Sequence, residues 1–108
     1  MYLEDMITSM NRILDYLNGY DYNGFLNDQK TIDAVTRNFE IIGEAANSIP
    51  QQVKINYPEV PWQAMYGLRN YASHEYFGLD LSTLWEIAQN SLPENKRQIE
   101  RIITDLKN

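Results

Sequence analysis

Apolar residues recur at steps of three and four along most of this chain, and that rhythm constrains its fold more than any other feature. Leu3, Met6, Met10, Ile13 and Leu17 form one stripe, and Ile32, Val35, Phe39, Ile42, Ala46 and Ile49 form a second. Each stripe lies on one face of a 3.6-residue helix, and no stretch alternates with period 2 for long enough to make a strand. The punctuation fits the same reading. Asn18-Gly19 ends the first helix, and DYNGF at 21–25 is turn chemistry. Pro50 closes the second helix, and QQVKINY between Pro50 and Pro58 has room for one or two helical turns. Pro61 suits the first position of a third helix, where a missing N–H costs nothing. Gly78 can stop that helix, and Asp80 or Ser82 can cap the next, which carries Leu81, Leu84, Trp85 and Ala88. Pro93 opens a last helix, with Ile99, Ile102 or Ile103, and Leu106 facing inward. The pattern predicts an all-α, up-and-down bundle of four long helices plus short connecting helices.

With 108 residues, the expectation is a single domain spanning 1–108. There is no cysteine, so disulfides and thiolate chemistry are excluded; with only one histidine, a structural zinc site is not expected either. No cofactor is implied. No apolar run approaches a membrane span, and the acidic start MYLED is unlike a signal peptide, so a soluble, cytoplasmic protein without membrane contact is expected. Nine basic against fifteen acidic side chains give a net charge of −6. That balance excludes a general nucleic-acid coat, which needs clustered Lys and Arg, but it leaves room for a small site that handles one phosphate. Lys96, Arg97, Arg101 and Lys107 alternate with Glu100 and Asp105 near the end and read as a solvated face.

Chemistry concentrates in LRNYASHEYFG at 68–78, which holds Arg69 and the only histidine, His74. On a regular helix Trp62, Met65, Tyr66, Ala72 and Ser73 share one side, with Arg69 near its centre and Tyr76 two turns further on. A guanidinium on such a face needs a carboxylate, a cluster of carbonyls or a bound phosphate. His74 points about 140° away from Arg69 on the same helix, so the two converge only if the helix loosens near Ser73 or a second copy supplies the partner. Two readings follow from spacing: a structural arginine paired with Glu40 or Glu44 beside a surface histidine, or a phosphate-handling pair. Glu40 and Glu44 lie at i and i+4 on the second helix, either as a solvated stripe or as the lining of a cleft opposite the third helix. Gly43 between them marks a candidate close helix crossing.

The segment RNYASHEY fits Arg-Asn-x-x-x-His-x-Tyr and resembles the HepT toxins of the HEPN superfamily. AVTRNFEIIGEAA, YPEVPW, YFGLDLSTLWEIAQNSLP and the opening YLEDM resemble the corresponding HepT segments, so the likeness covers nearly the whole chain. The resemblance implies a HEPN-like helical bundle that dimerises and brings the Arg-x4-His motifs of two subunits into one cleft. It implies a metal-independent endoribonuclease acting on RNA, the toxin of a type VII-like toxin–antitoxin system. Its partner would be a cognate MNT-type nucleotidyltransferase antitoxin that silences it by attaching AMP. Carried over by position, the catalytic pair is Arg69 and His74, Asn70 supports it, and Tyr76 is the AMP-modified residue. The alternative is a non-catalytic HEPN partner that binds nucleotide or organises a nucleotidyltransferase.

Overall fold

A computed structural model describes residues 2–70 and 81–108. Its architecture is all-α, with no strand among the described residues. Helix α1 spans Tyr2–Leu17, α2 Tyr22–Leu26, α3 Gln29–Ser48, α4 Gln51–Asn56, α5 Trp62–Gly67, α6 Leu81–Glu86 and α7 Leu92–Lys107. The two N-terminal stripes become the centre of the core. Met6, Met10 and Ile13 of α1 meet Val35, Phe39, Ile42 and Ala46 of α3, all with no exposed surface, and Ile99 and Ile102 of α7 complete the layer.

Neighbouring long helices run antiparallel. Tyr2 and Asp5 share a groove with Glu44 and Ser48, so the start of α1 lies beside the end of α3. Leu14 and Leu17 share another groove with Ala88 and Pro93, so the end of α1 lies beside the start of α7. Pro61–Tyr66 faces Asn47 while Arg69 faces Gly43, so α5 runs back along α3. This is the up-and-down order the sequence predicts.

The connection from α1 to α3 is more structured than a turn. Gly19 takes φ +85°, a conformation that L side chains rarely adopt, and ends α1. Asp21 then caps α2 by accepting from the Gly24 N–H at 2.7 Å. The DYNGF segment is therefore a short capped helix whose Phe25 is fully buried. Trp85 of α6 covers it, with ring centroids 5.5 Å from Phe25 and 5.9 Å from Tyr22.

Two further expectations change. Pro93 stands in the first positions of α7, as expected, but no break precedes it: residues 87–91 form a π-helical turn that joins α6 to α7, and the Leu92 N–H donates to the Ile87 carbonyl. Proline lacks the N–H that would close an α-turn and its ring crowds the preceding turn, so the wider turn absorbs both defects without breaking the rod. Leu106 is 58% exposed and does not face inward. The expected stop at Gly78 and cap at Asp80 lie outside the described residues. Among the described residues, no helix is long and apolar enough to cross a membrane.

The start of α3 is fixed by one carboxylate. Asp28 accepts from the Thr31 N–H at 3.1 Å, from the Thr31 hydroxyl at 2.9 Å and from the Tyr20 hydroxyl. These donors, the Tyr20 hydroxyl foremost, hold its carboxyl below the usual carboxylate range. The sign follows from linkage: a carboxylate whose pKa is lowered by folding stabilises the fold above its unfolded pKa, and that contribution disappears as pH falls through the folded value. Asp28→Asn should therefore flatten the acid limb of the stability profile below about pH 4 while leaving the limb above pH 8 unchanged. Urea midpoints measured across pH 2–9 check this, and an unaltered acid limb would refute it.

Candidate active site at the Gly43 crossing

Arg69 owes its position to a glycine on another helix. A Cβ placed on Gly43 of α3 would come within 2.5 Å of the Arg69 backbone nitrogen, 2.9 Å of the Arg69 Cβ and 3.0 Å of the Tyr66 carbonyl oxygen. The two backbone atoms among these are hydrogen-bonded to each other, the Arg69 N–H donating to the Tyr66 carbonyl at 3.3 Å. Gly43 thus packs directly on the bond that sets the Arg69 backbone. The close crossing read from the sequence is real, and its contact is the site arginine itself.

The regular helix α5 ends at Gly67, and Leu68 and Arg69 form a turn closed by i→i−3 hydrogen bonds. The divergence of about 140° is drawn on one regular helix starting before Arg69, and this turn interrupts that helix; His74 itself lies outside the described residues. Arg69 is exposed, not at the centre of a buried face. The buried side of the segment runs through Met65 and Leu68, at 3% and 7% exposure. Tyr66 is only half-buried, and the Arg69 guanidinium stands over its ring, 4.7 Å from the centroid. A guanidinium carries a planar N–H fork that matches phosphate geometry, and stacking on an aromatic face is one of its usual contacts.

The two glutamates occupy the outer side of α3. Glu40 accepts from Arg37 at 2.6 Å, an i,i+3 pair, and Glu44 lines the shallow groove against α1 with Tyr2, Asp5, Arg37 and Ile41. Among the described residues, neither is paired with Arg69. Asn70 is exposed and follows Arg69 directly, where helical structure resumes. His74 and Tyr76, and with them Tyr71, lie outside the described residues.

Tyr66 also lines a cleft of about 600 Å³ between α5 and the α3–α4 junction. Asn47, Gln51, Lys54, Trp62, Gln63 and Tyr66 contribute to its walls. The Trp62 indole is locked in place, its Nε1–H donating to the Tyr57 carbonyl at 2.9 Å, and Tyr57 in turn donates to Asp105 of α7 at 2.9 Å. Sequence reading did not single out this cleft. The YPEVPW stretch held the signal, since two prolines around a buried Val60 force the chain to fold back beside α5.

The all-α bundle, with an exposed arginine on a braced turn, defines the class: a HEPN-like helical protein. The model of the family described as Ribonuclease HepT-like matches residues 6–102, and this chain belongs to that family. "Putative RNase MJ0127" of Methanocaldococcus jannaschii is 39% identical over 98% of this chain and 88% of its own length. "Putative RNase MJ0125" of the same organism is 38% identical over 98% of this chain and 91% of its own length. "Probable ribonuclease HepT" of Thermococcus cleftensis is 38% identical over 94% of this chain and 92% of its own length. No solved structure matches the chain.

Gly43→Ala separates helix propensity from packing. Alanine normally gains ~1 kcal/mol over glycine inside a helix. Here the atoms it meets are backbone, which cannot rotate aside, and overpacking typically costs about 1–3 kcal/mol. The variant should be less stable despite its better propensity, and the Arg69 turn should move. A lower urea midpoint together with changed amide shifts at 66–70 is the expected result; a stabilised protein would refute the crossing.

Proposed function

We propose that this chain is a metal-independent endoribonuclease toxin that uses Arg69 and His74, with two copies contributing to one cleft. The observation that carries the reading is the exposed Arg69 guanidinium on a backbone pinned by Gly43, five residues before the only histidine. The family match and the ribonuclease names of its relatives support the substrate class.

RNA supplies its own nucleophile. The 2′-OH attacks the adjacent phosphorus and loses its proton to a base, while the 5′-oxygen leaves and takes a proton, giving a 2′,3′-cyclic phosphate and a 5′-OH. An imidazole titrates near neutrality and serves as base or acid. With two copies in the cleft, one His74 can accept the proton and the other can donate. Arg69 offers paired donors to the non-bridging oxygens as negative charge builds up. Asn70, next in the chain, supports the pair by orienting the imidazole or by binding phosphate. His74→Ala or Arg69→Ala should each reduce cleavage of a single-stranded RNA by ~10²-fold or more, with fold and dimer retained, and wild-type cleavage should persist in EDTA. A folded His74→Ala protein with undiminished cleavage would overturn the assignment.

Control acts through Tyr76 in this reading. A cognate MNT-type nucleotidyltransferase transfers AMP from ATP to the Tyr76 oxygen, with pyrophosphate leaving. The new phosphodiester brings about one negative charge, competes with the RNA phosphate for Arg69, and silences the toxin. Tyr76→Phe should keep most of the nuclease activity and escape silencing by the partner and ATP. Intact mass spectrometry should show AMP-mass increments on the wild-type chain and none on the variant. Continued modification of the variant would move the control site to Tyr71 or Tyr66.

A further inference from the structure

We propose that the cleft between α5 and the α3–α4 junction is a nucleotide subsite that holds the single-stranded RNA residue next to the scissile phosphate. The inference rests on the nuclease reading above and adds where the substrate strand runs.

Four observations carry it. The cleft adjoins Arg69 through Tyr66, which is among its lining residues and carries the guanidinium on its ring. Two aromatic residues line it, and the Trp62 indole is held by its bond to Tyr57, so stacking a base on it orders little further side-chain freedom. Its polar lining suits a nucleotide: the amides of Asn47, Gln51 and Gln63 can donate to and accept from base edges or the ribose 2′-OH. Finally, in a chain with fifteen acidic side chains, the described residues lining this cleft include Lys54 and no carboxylate. The volume of about 600 Å³ lies inside the range of ~300–1,000 Å³ typical of small-molecule sites and is ample for one nucleotide. A base in contact with Trp62 or Tyr66 would leave its flanking phosphates within the neighbourhood of Lys54, in the lining, and Arg69, on the Tyr66 ring.

The chain has two tryptophans, Trp62 in the cleft and Trp85 against Phe25, so Trp85→Phe leaves Trp62 as the sole indole reporter. The probe is a short oligoribonucleotide with 2′-O-methyl riboses, which lacks the nucleophile and cannot be cut. Binding should change Trp62 emission, and His74→Ala should lower cleavage of ordinary RNA ~10²-fold or more while keeping that change. In the wild-type background, Lys54→Ala should weaken probe binding ~10-fold. It should also lower the salt slope of log K by about 0.7, the value for one phosphate contact on a single strand. The same substitution should raise KM for cleavage and leave kcat nearly unchanged, which a merely structural role would not do. If Trp85→Phe does not fold, the Lys54→Ala measurements carry the test alone. Probe binding seen by anisotropy with Trp62 silent and Lys54 indifferent would overturn the subsite and leave the nuclease reading standing. A response to free AMP that RNA does not compete away would overturn it in favour of a mononucleotide pocket. Absence of both RNA binding and cleavage in the wild type would overturn the nuclease reading, and the subsite with it.

Discussion

The contact between Gly43 and the backbone at Tyr66 and Arg69 is the constraint on which the candidate site depends. Helices with ordinary side chains at their crossing stand 8–10 Å apart. Here the two backbones approach until a single methyl group would strike a nitrogen at 2.5 Å. Because α3 is the most buried long helix, anchored by Phe39, Ile42 and Ala46, it acts as the fixed member of the pair. The α5 turn is therefore referenced to the rigid core, although Arg69 itself is exposed. A long, flexible side chain gains precision when its Cα cannot drift, and stacking on Tyr66 removes further rotamer freedom. The arginine can then meet a phosphate at little ordering cost.

The rest of the bundle secures that arrangement from the far side. The 50–61 connection, which leads into α5, is tied to α7 by the Tyr57–Asp105 hydrogen bond and to Trp62 by the Tyr57 carbonyl. Asp105 as hydrogen-bond acceptor, followed by burial, raises the Tyr57 phenol above its ordinary range, so the hydroxyl remains a donor across the neutral pH range. The helical rod running through the π turn at 87–91 keeps α7 aligned with both α1 and this connection. A π turn is a weak point in hydrogen-bond geometry; here Ala88 within it and Leu92 just after it are both buried in the core.

Most of the fold was legible because helical periodicity and burial coincide wherever a neighbour exists. Every residue of the stripe Met6, Met10, Ile13, Leu17 is buried, and so is every residue of the stripe from Ile32 to Ile49. The reading failed at Leu106, which keeps the helical period without the burial, and where tyrosine was counted as apolar. Placing Tyr66 on the buried side drew the centre of that face onto Arg69, whereas Leu68 is the residue that turns inward. The short α2 helix was missed because two glycine- and asparagine-bearing turns hide a capped turn and a half whose stability comes from Trp85, far along the chain. Of the site, Arg69 and the Gly43 crossing could be read from the sequence. The flanking cleft could not, because it depends on how three short elements meet and not on any motif.

Net charge and local charge part company in this molecule. At −6 the chain as a whole repels a polyanion, yet at physiological salt the screening length is only ~8 Å. An α-helix with its side chains is roughly 10 Å across. Asp5 and Glu44 lie in the groove on the α1 side of α3, with Glu40 held by Arg37 nearby. Arg69 and Lys54 lie on the side where α5 and α4 pack. The helix is thus about as thick as the distance over which those charges act through solvent. A phosphate approaching the Arg69 side meets the local cations more strongly than the distant carboxylates. In the proposed function, the acidic surface works against non-specific adhesion to RNA, and the strand would bind on the side where the described cleft lining has Lys54 and no carboxylate.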